Sequence, residues 1–251
     1  SIMTRVLLTF LVGLVVSLGA LVSGVEPVLA ENWNTEKSLK PTDSIELSGG
    51  FIFYELPSYS FSFKCSQNVN GETSKSEMRV TEKKISINLS QGYFISLDKK
   101  TDKVSTNIPA KSAHERALLQ QVKSAIKNYQ TLTPFRNGTA VNIGKNISLN
   151  QRMFGAKIGV SIKPFKFVKY NGMTGVKSYS KARVSDNLQV GQDKFFMNGV
   201  LEGVVINHLG TGAWVSENTQ FTGTVNGQNF KFAQKRHCSL EGEDDYFTGL
   251  A

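Results

Sequence analysis

Apolar and polar residues alternate with a period of two along most of the chain, which is typical of half-buried β-strands. The clearest alternation covers residues 154–162, in which apolar side chains are separated by Gly, Lys and Ser. Further strand-like runs cover 59–65, 85–89, 195–207, 213–225 and 230–238. This pattern predicts a mainly β fold, built as a curved antiparallel sheet, a β-sandwich, or a barrel or half-barrel.

Asn-Gly pairs separate several of these runs and predict tight turns, because Asn tolerates a positive φ and Gly adopts one without penalty. The pair within Val225–Gln228 lies between two strand runs and is the strongest hairpin signal. A longer turn at 208–212 joins the two preceding runs. We therefore predict a three-stranded antiparallel meander over 195–238. The other pairs are Asn70-Gly71, Asn137-Gly138 and Asn171-Gly172.

The segment 111–130 breaks the strand pattern, because its apolar residues recur at helical spacing. Ser112 and Glu115 fit a capping box, in which each side chain accepts a hydrogen bond from the other residue's backbone N–H. Pro134 follows just past the end. We predict one amphipathic helix of about five turns here, whose apolar side packs on the sheet.

The N-terminal 30 residues have the pattern of a signal peptide. Arg5 precedes an uncharged apolar run over 6–25, and Pro27 and Ala30 occupy a processing region. The alternative is an uncleaved membrane anchor, since 20 apolar residues can span a bilayer. We expect a signal peptide at 1–30, a flexible leader at 31–44 and a single β-rich domain at 45–251.

Composition places the chain among folded, basic proteins. Its 251 residues are 40% hydrophobic and carry 29 Lys and Arg against 20 Asp and Glu, a net charge of +9. This hydrophobic content excludes a disordered chain, and the length allows one sizeable core. Export to the periplasm or the cell surface would direct the positive charge toward envelope anions, so we expect no nucleic acid partner. No second apolar run approaches 18 residues, so we also expect no transmembrane helix in the mature chain.

Cys65 and Cys238 are the only cysteines. The alternation places Cys65 on the same strand face as Phe61 and Phe63, and Cys238 on the same face as Phe230 and Phe232. Both thiols therefore point to the core side, and an exported protein favours their pairing. We predict a disulfide between them, and two separate buried thiols are the alternative.

Recognised catalytic and metal-binding motifs are absent from the sequence, so we expect no enzyme activity, no metal and no cofactor. His114, His208 and His237 form no zinc-binding pair, and the acidic residues near 241–245 lack the calcium-loop pattern. A hydrolase with an unrecognised site remains an alternative, and it requires a cleft in which one histidine meets a carboxylate.

The sequence offers two candidate binding surfaces. An apolar face would hold a lipid or contact another envelope component, which is the function we expect. A basic outward face would instead bind polyanions, which is the alternative. The apolar candidates are Phe61, Phe63, Phe154, Ile158, Phe230 and Phe232. The anion-binding candidates are Lys231, Lys235 and His237.

Overall fold

The fold was analysed in a computed structural model of the chain. It describes residues 37–38, 51–53, 60–88, 92–113, 115–116, 119–120, 123, 126–127, 139–153, 155–190 and 193–242. The predicted signal peptide lies outside the described residues. Of the predicted leader, only Lys37–Ser38 is described, and these two residues pair as a short strand with Val168 and Lys169.

Strands account for most of the described residues, so the mainly β prediction is confirmed. The first seven are β1 (Lys37–Ser38), β2 (Phe51–Phe53), β3 (Ser60–Val69), β4 (Glu72–Thr81), β5 (Lys84–Asn88), β6 (Phe94–Asp98) and β7 (Val104–Thr106). The others are β8 (Thr139–Val141), β9 (Ile147–Met153), β10 (Ala156–Tyr170), β11 (Met173–Val190), β12 (Asp193–His208), β13 (Trp214–Val225) and β14 (Gln228–Glu241).

Twelve of these strands form one antiparallel sheet in the order β1-β10-β11-β12-β13-β14-β3-β4-β5-β6-β7, with β9 also paired to β10. Strands β2 and β8 form a separate pair. The predicted barrel is wrong, because the large sheet is not closed. A closed barrel requires the two end strands of the order to pair with each other. Within the described chain these end strands are β1 and β7, and they do not pair.

The predicted meander is confirmed by β12, β13 and β14, which pair consecutively and antiparallel. At the predicted hairpin, Asn226 has a φ of 49° and Gly227 a φ of 79°. Both central residues of a type I′ turn need a positive φ, so this residue pair suits the tight link between β13 and β14. The longer turn closes through the His208 N–H, which donates to the Ala213 carbonyl at 2.8 Å.

Half of the predicted helix over 111–130 lies outside the described residues, and no complete helix is described. Its capping box is formed: the Glu115 N–H donates to Ser112 Oγ at 3.1 Å, and the Ser112 N–H donates to Glu115 Oε2 at 3.2 Å. Leu119 and Ile126 are buried in the same apolar cluster as the core residues of β3–β6. These two side chains therefore contribute to the core beside the sheet, whereas the packing of a whole amphipathic helix on the sheet stays a prediction.

Three glycines bring β12 and β13 unusually close together. Gly199 and Gly223 lie directly opposite each other, and a Cβ on Gly199 would lie 2.6 Å from the Phe221 ring. A Cβ on Gly203 would lie 2.8 Å from Thr219 Cα and closer still to the Asn218 carbonyl oxygen. Glycine inside a strand often marks a close backbone approach of this kind.

Gly203→Ala is therefore expected to destabilise the fold by about 1–3 kcal/mol, the usual cost of overpacking, because the added Cβ meets backbone that cannot rotate away. Gly159→Ala is the matched control, since its Cβ would make an ordinary contact of 3.6 Å with Asn150 Oδ1. Urea unfolding of both variants measures the difference. Equal urea midpoints for the two variants would show that β12 and β13 can move apart at Gly203 without cost, and would contradict the prediction.

Candidate functional site

The predicted disulfide joins Cys65 and Cys238. The two residues lie directly opposite each other on β3 and β14, with a Cα–Cα distance of 4.0 Å. This strand pair connects the part of the sheet built from β3–β7 to the part built from β9–β14. Both cysteines are buried, and a disulfide of this kind is typical of an oxidising compartment.

Cys65 and Cys238 belong to one sheet face, defined by Phe63, Cys65, Phe221, Phe232 and Cys238 and called here the apolar face. Two apolar clusters have members on it. The disulfide cluster contains Phe63, Cys65, Met78, Val205, Val215 and Cys238 among others. The phenylalanine cluster contains Ala156, Val184, Leu188, Met197, Phe221 and Phe232.

Polar side chains separate the two clusters on this face. Along β14, Arg236 and Gln234 lie between Cys238 and Phe232, and strand alternation points all four the same way. On one side of β14, Arg236 pairs with Glu217 of β13. On the other side, it pairs with Gln67 of β3. We call Gln67, Arg236 and Glu217 the interior polar row, and each of them is at least 94% buried.

The charge balance of the interior polar row is set by burial. Desolvation raises the pKa of Glu217 from 4.5 to about 8, and the nearby Arg236 guanidinium lowers it by less. Thr219 Oγ1 donates to Glu217 Oε1 at 3.3 Å. At neutral pH the Glu217 carboxyl is therefore mostly uncharged, whereas arginine keeps its proton.

Arg236 reaches from the polar row toward the disulfide cluster. Its Nη2 lies 3.8 Å from Cys65 Sγ and 3.6 Å from Met78 Sδ. Sulfur is a weak hydrogen-bond acceptor, so each of these two contacts is weaker than a hydrogen bond to oxygen. Within the part of the chain that the structure describes, Gln67 Nε2 and Glu217 Oε2 are buried without a hydrogen-bond partner.

The predicted apolar residues divide between the two clusters. Phe61 and Phe63 belong to the disulfide cluster, and Phe230 and Phe232 belong to the phenylalanine cluster. Ile158 packs against both, while Phe154 lies outside the described residues. Phe63 and Phe232 are fully buried, and Phe61, Ile158 and Phe230 are half-buried.

The predicted anion-binding residues share the opposite face of β14 but differ in exposure. Lys231 is exposed, whereas Lys235 is only 7% exposed. His237 Nδ1 lies 2.8 Å from the Tyr170 hydroxyl, and burial raises the pKa of that tyrosine. The three residues therefore do not form a continuous exposed basic stripe.

His208, a histidine of the hydrolase alternative, is completely buried. Its ring packs edge-on against Phe61 and Phe63, and its Nδ1 lies 2.9 Å from Thr211 Oγ1. These contacts place it in the core beside the turn between β12 and β13. The other predicted histidine of this group, His114, lies outside the described residues.

No family model, curated protein or solved structure matches this chain. The interpretation of the site therefore rests on its own geometry. Among the described residues, no three His, Cys, Asp or Glu side chains gather as a metal site. In the same part of the chain, no helix is long and apolar enough to cross a membrane.

The sequence analysis missed the interior polar row, although the chain carried a signal for it. The alternation that places Cys238, Phe232 and Phe230 on one face also places Arg236 and Gln234 there. A charged residue at a position predicted to face inward is the observation that could have found it. Glu217 follows in the same way from its alternation with Val215 and Phe221 on β13.

Proposed function

We propose that this chain is an exported, non-enzymatic envelope protein of the periplasm or cell surface. Its role is to bind an apolar ligand, such as a lipid, on the apolar face of its open sheet. The disulfide and the N-terminal signal-peptide pattern support export. The alternative ligand of the same face is another envelope component.

The phenylalanine cluster is the observation that carries the binding proposal. Its fully buried members, such as Phe221 and Phe232, stack with ring centroids 5.5 Å apart. Partly exposed apolar side chains surround them. An apolar centre with an accessible apolar rim is the usual lining of a lipid site. The rim consists of Ile158, Leu201, Val225 and Phe230.

Phe230→Asp is expected to weaken binding of a neutral apolar fluorophore such as diphenylhexatriene by at least about tenfold, because burying a phenylalanine contributes about 1.5–3 kcal/mol. Fluorescence titration measures this affinity, and mass spectrometry of an organic extract identifies any lipid that co-purifies.

Phe196→Asp is the matched control, because Phe196 is a 42% exposed aromatic on the opposite face of β12. It should leave fluorophore binding unchanged. Failure of the folded wild-type protein to bind either the fluorophore or a co-purified lipid would overturn the proposal, as would equal losses in the two variants.

A further inference from the structure

Two aromatic rings stack on the outward side of the sheet, where β10 and β11 pair. The ring centroids of Phe165 and Tyr179 are 4.3 Å apart, and the ring planes are inclined by 23°. In the register Tyr179 lies opposite Lys163, and Phe165 is the extra residue of a β-bulge between Pro164 and Lys166. A bulge re-aims the side chain at its position. Here it accompanies the stacking of Phe165 against a ring on the neighbouring strand.

Tyr179 is 55% exposed, more than any other large hydrophobic side chain in the part of the chain that the structure describes. The strand register aligns it with Val204, Asn218 and Lys235, so it lies on the side of the sheet opposite the interior polar row. Phe165 covers one face of the tyrosine ring. The exposed area therefore belongs to the other ring face and the hydroxyl edge, which are held ready for a flat ligand.

Basic side chains surround the stacked rings. Lys163 is exposed opposite Tyr179, and Lys181 and the exposed Arg183 follow on the same side of β11. Glu202 of β12 lies opposite Lys181, and their charged atoms are 3.5 Å apart. These three cations and one carboxylate have a net charge of +2. We call the following residues the aromatic–basic patch: Lys163, Phe165, Tyr179, Lys181 and Arg183.

The shape and charge of the aromatic–basic patch indicate the chemistry of its partner. Its net positive charge attracts an anion. The face of an aromatic ring carries partial negative charge and packs against C–H groups, which a sugar ring presents. Tyr179 and Arg183 are about 14 Å apart along an extended strand, which is longer than one sugar. Beside β11, Gly159 and Ser161 have small side chains that leave this strip open.

We propose that the aromatic–basic patch binds an acidic polysaccharide built from uronic acid residues. One sugar ring stacks on the open face of Tyr179, and Lys163 and Arg183 pair with carboxylates along the polysaccharide. This inference goes beyond the proposed function, because it uses the opposite side of the sheet and a different class of partner.

The aromatic–basic patch suits a polysaccharide better than other anionic partners. A membrane-binding surface needs a broad apolar area to enter the bilayer, whereas Tyr179 is one exposed ring among charged side chains. A site for single-stranded nucleic acid stacks successive bases on several rings along a groove. A single open ring flanked by cations fits one stacked sugar within a charged chain.

Calorimetric titration with three polymers tests the proposal. Polygalacturonate and its methyl ester have the same sugar chain and differ in charge, whereas polyglutamate carries carboxylates without sugar rings. Polygalacturonate is expected to bind at least about tenfold more tightly than either of the others, because it alone engages both the ring and the cations. Equal affinity for polyglutamate or for the methyl ester would overturn the proposal. Equally tight binding of phosphatidylglycerol vesicles or single-stranded DNA would overturn it as well.

Tyr179→Ala should weaken polygalacturonate binding by about 3- to 10-fold, the usual effect of an aromatic contact, and should leave polyglutamate binding unchanged. Phe196→Ala is the matched control, because Phe196 is a 42% exposed ring further along the outward side of β12. It should change neither affinity. Equal losses for the two polymers in Tyr179→Ala would contradict stacking of a sugar on this ring.

Replacing Lys163 and Arg183 together with Gln should weaken polygalacturonate binding by about tenfold. Replacing Lys75 and Lys231 with Gln is the matched control, because it removes the same charge from two exposed positions on other strands. A control that is weakened as much as the patch variant would show that overall charge holds the polymer, and the proposed site would be wrong.

Saturation-transfer NMR on the wild-type protein observes the stacked sugar directly. Irradiating the aromatic protons should transfer magnetisation to the ring protons of trigalacturonate, and the transfer should disappear in Tyr179→Ala but persist in Phe196→Ala. Transfer that survives Tyr179→Ala would exclude this ring as the contact. Because the two surfaces lie on opposite sides of the sheet, failure of this test leaves the proposed apolar-ligand function standing, and loss of fluorophore binding leaves this inference standing.

Discussion

Replacing Cys65 and Cys238 together with alanine is expected to lower the free energy of unfolding by about 5 kcal/mol. The two residues are 173 positions apart, so the disulfide closes nearly all of the described chain into one loop. Losing this cross-link gives the unfolded chain many more conformations. Guanidinium unfolding of the double variant and the oxidised wild-type protein measures the difference.

The position of the disulfide between β3 and β14 explains why its loss should affect stability strongly. Strands β3 and β14 connect the early and late parts of the sheet. Ser66→Ala with Ser239→Ala is the matched control, because these residues neighbour the cysteines on the same strands without entering the cross-link. This pair should retain wild-type stability. A double cysteine variant as stable as the control would contradict a stabilising role for the disulfide.

The second large effect is a pH dependence of stability that comes from Glu217. Its pKa is about 8 in the folded protein against an ordinary value of 4.5. Between these values the folded state holds a proton that the unfolded state has released. Stability from this group is therefore complete below about pH 4.5 and is lost as pH rises toward 8.

Glu217→Gln removes this titration, because the amide resembles the uncharged carboxyl in shape and cannot ionise. The stability of the wild-type protein relative to this variant is expected to fall by about 1.4 kcal/mol per pH unit between about pH 5 and 8, and by about 3–4 kcal/mol in total. Denaturant unfolding of both proteins at matched pH values measures the slope.

Glu202→Gln is the matched control, because Glu202 lies on the neighbouring strand β12 with a 60% exposed side chain paired to Lys181. The difference between this variant and the wild-type protein should show no comparable slope. If the wild-type protein and Glu217→Gln keep a constant stability difference over the range, Glu217 is ionised in the folded state. Arg236 would then be neutralised by it.

Much of the fold was predictable wherever local chemistry decides local structure. The period of two gave the strands around Phe63, Ile85 and Phe232, because a half-buried strand needs apolar residues on one side only. The hairpin at Asn226 followed from the positive φ that its turn requires. The disulfide was predictable because alternation placed both cysteines on the core side.

Other features escaped the sequence analysis because they depend on residues far away along the chain. Strand β11 contains three Ser and two Lys residues and showed no clear apolar side, yet it lies inside the sheet between β10 and β12. Lys235 has the outward position that alternation assigned, but the packing of the folded chain buries it. Local periodicity determines which side a residue points to, and it does not determine what covers that side.

The amino-acid sequence by itself determined a mainly β chain, the β12–β14 meander, its tight turns and the pairing of the cysteines, because these follow from side-chain alternation, backbone preferences and cysteine number. Only the tertiary structure decided that β14 lies beside β3, that the sheet stays open and that Gln67, Arg236 and Glu217 meet in one buried row. Each of these depends on pairing between distant strands, which local periodicity does not specify.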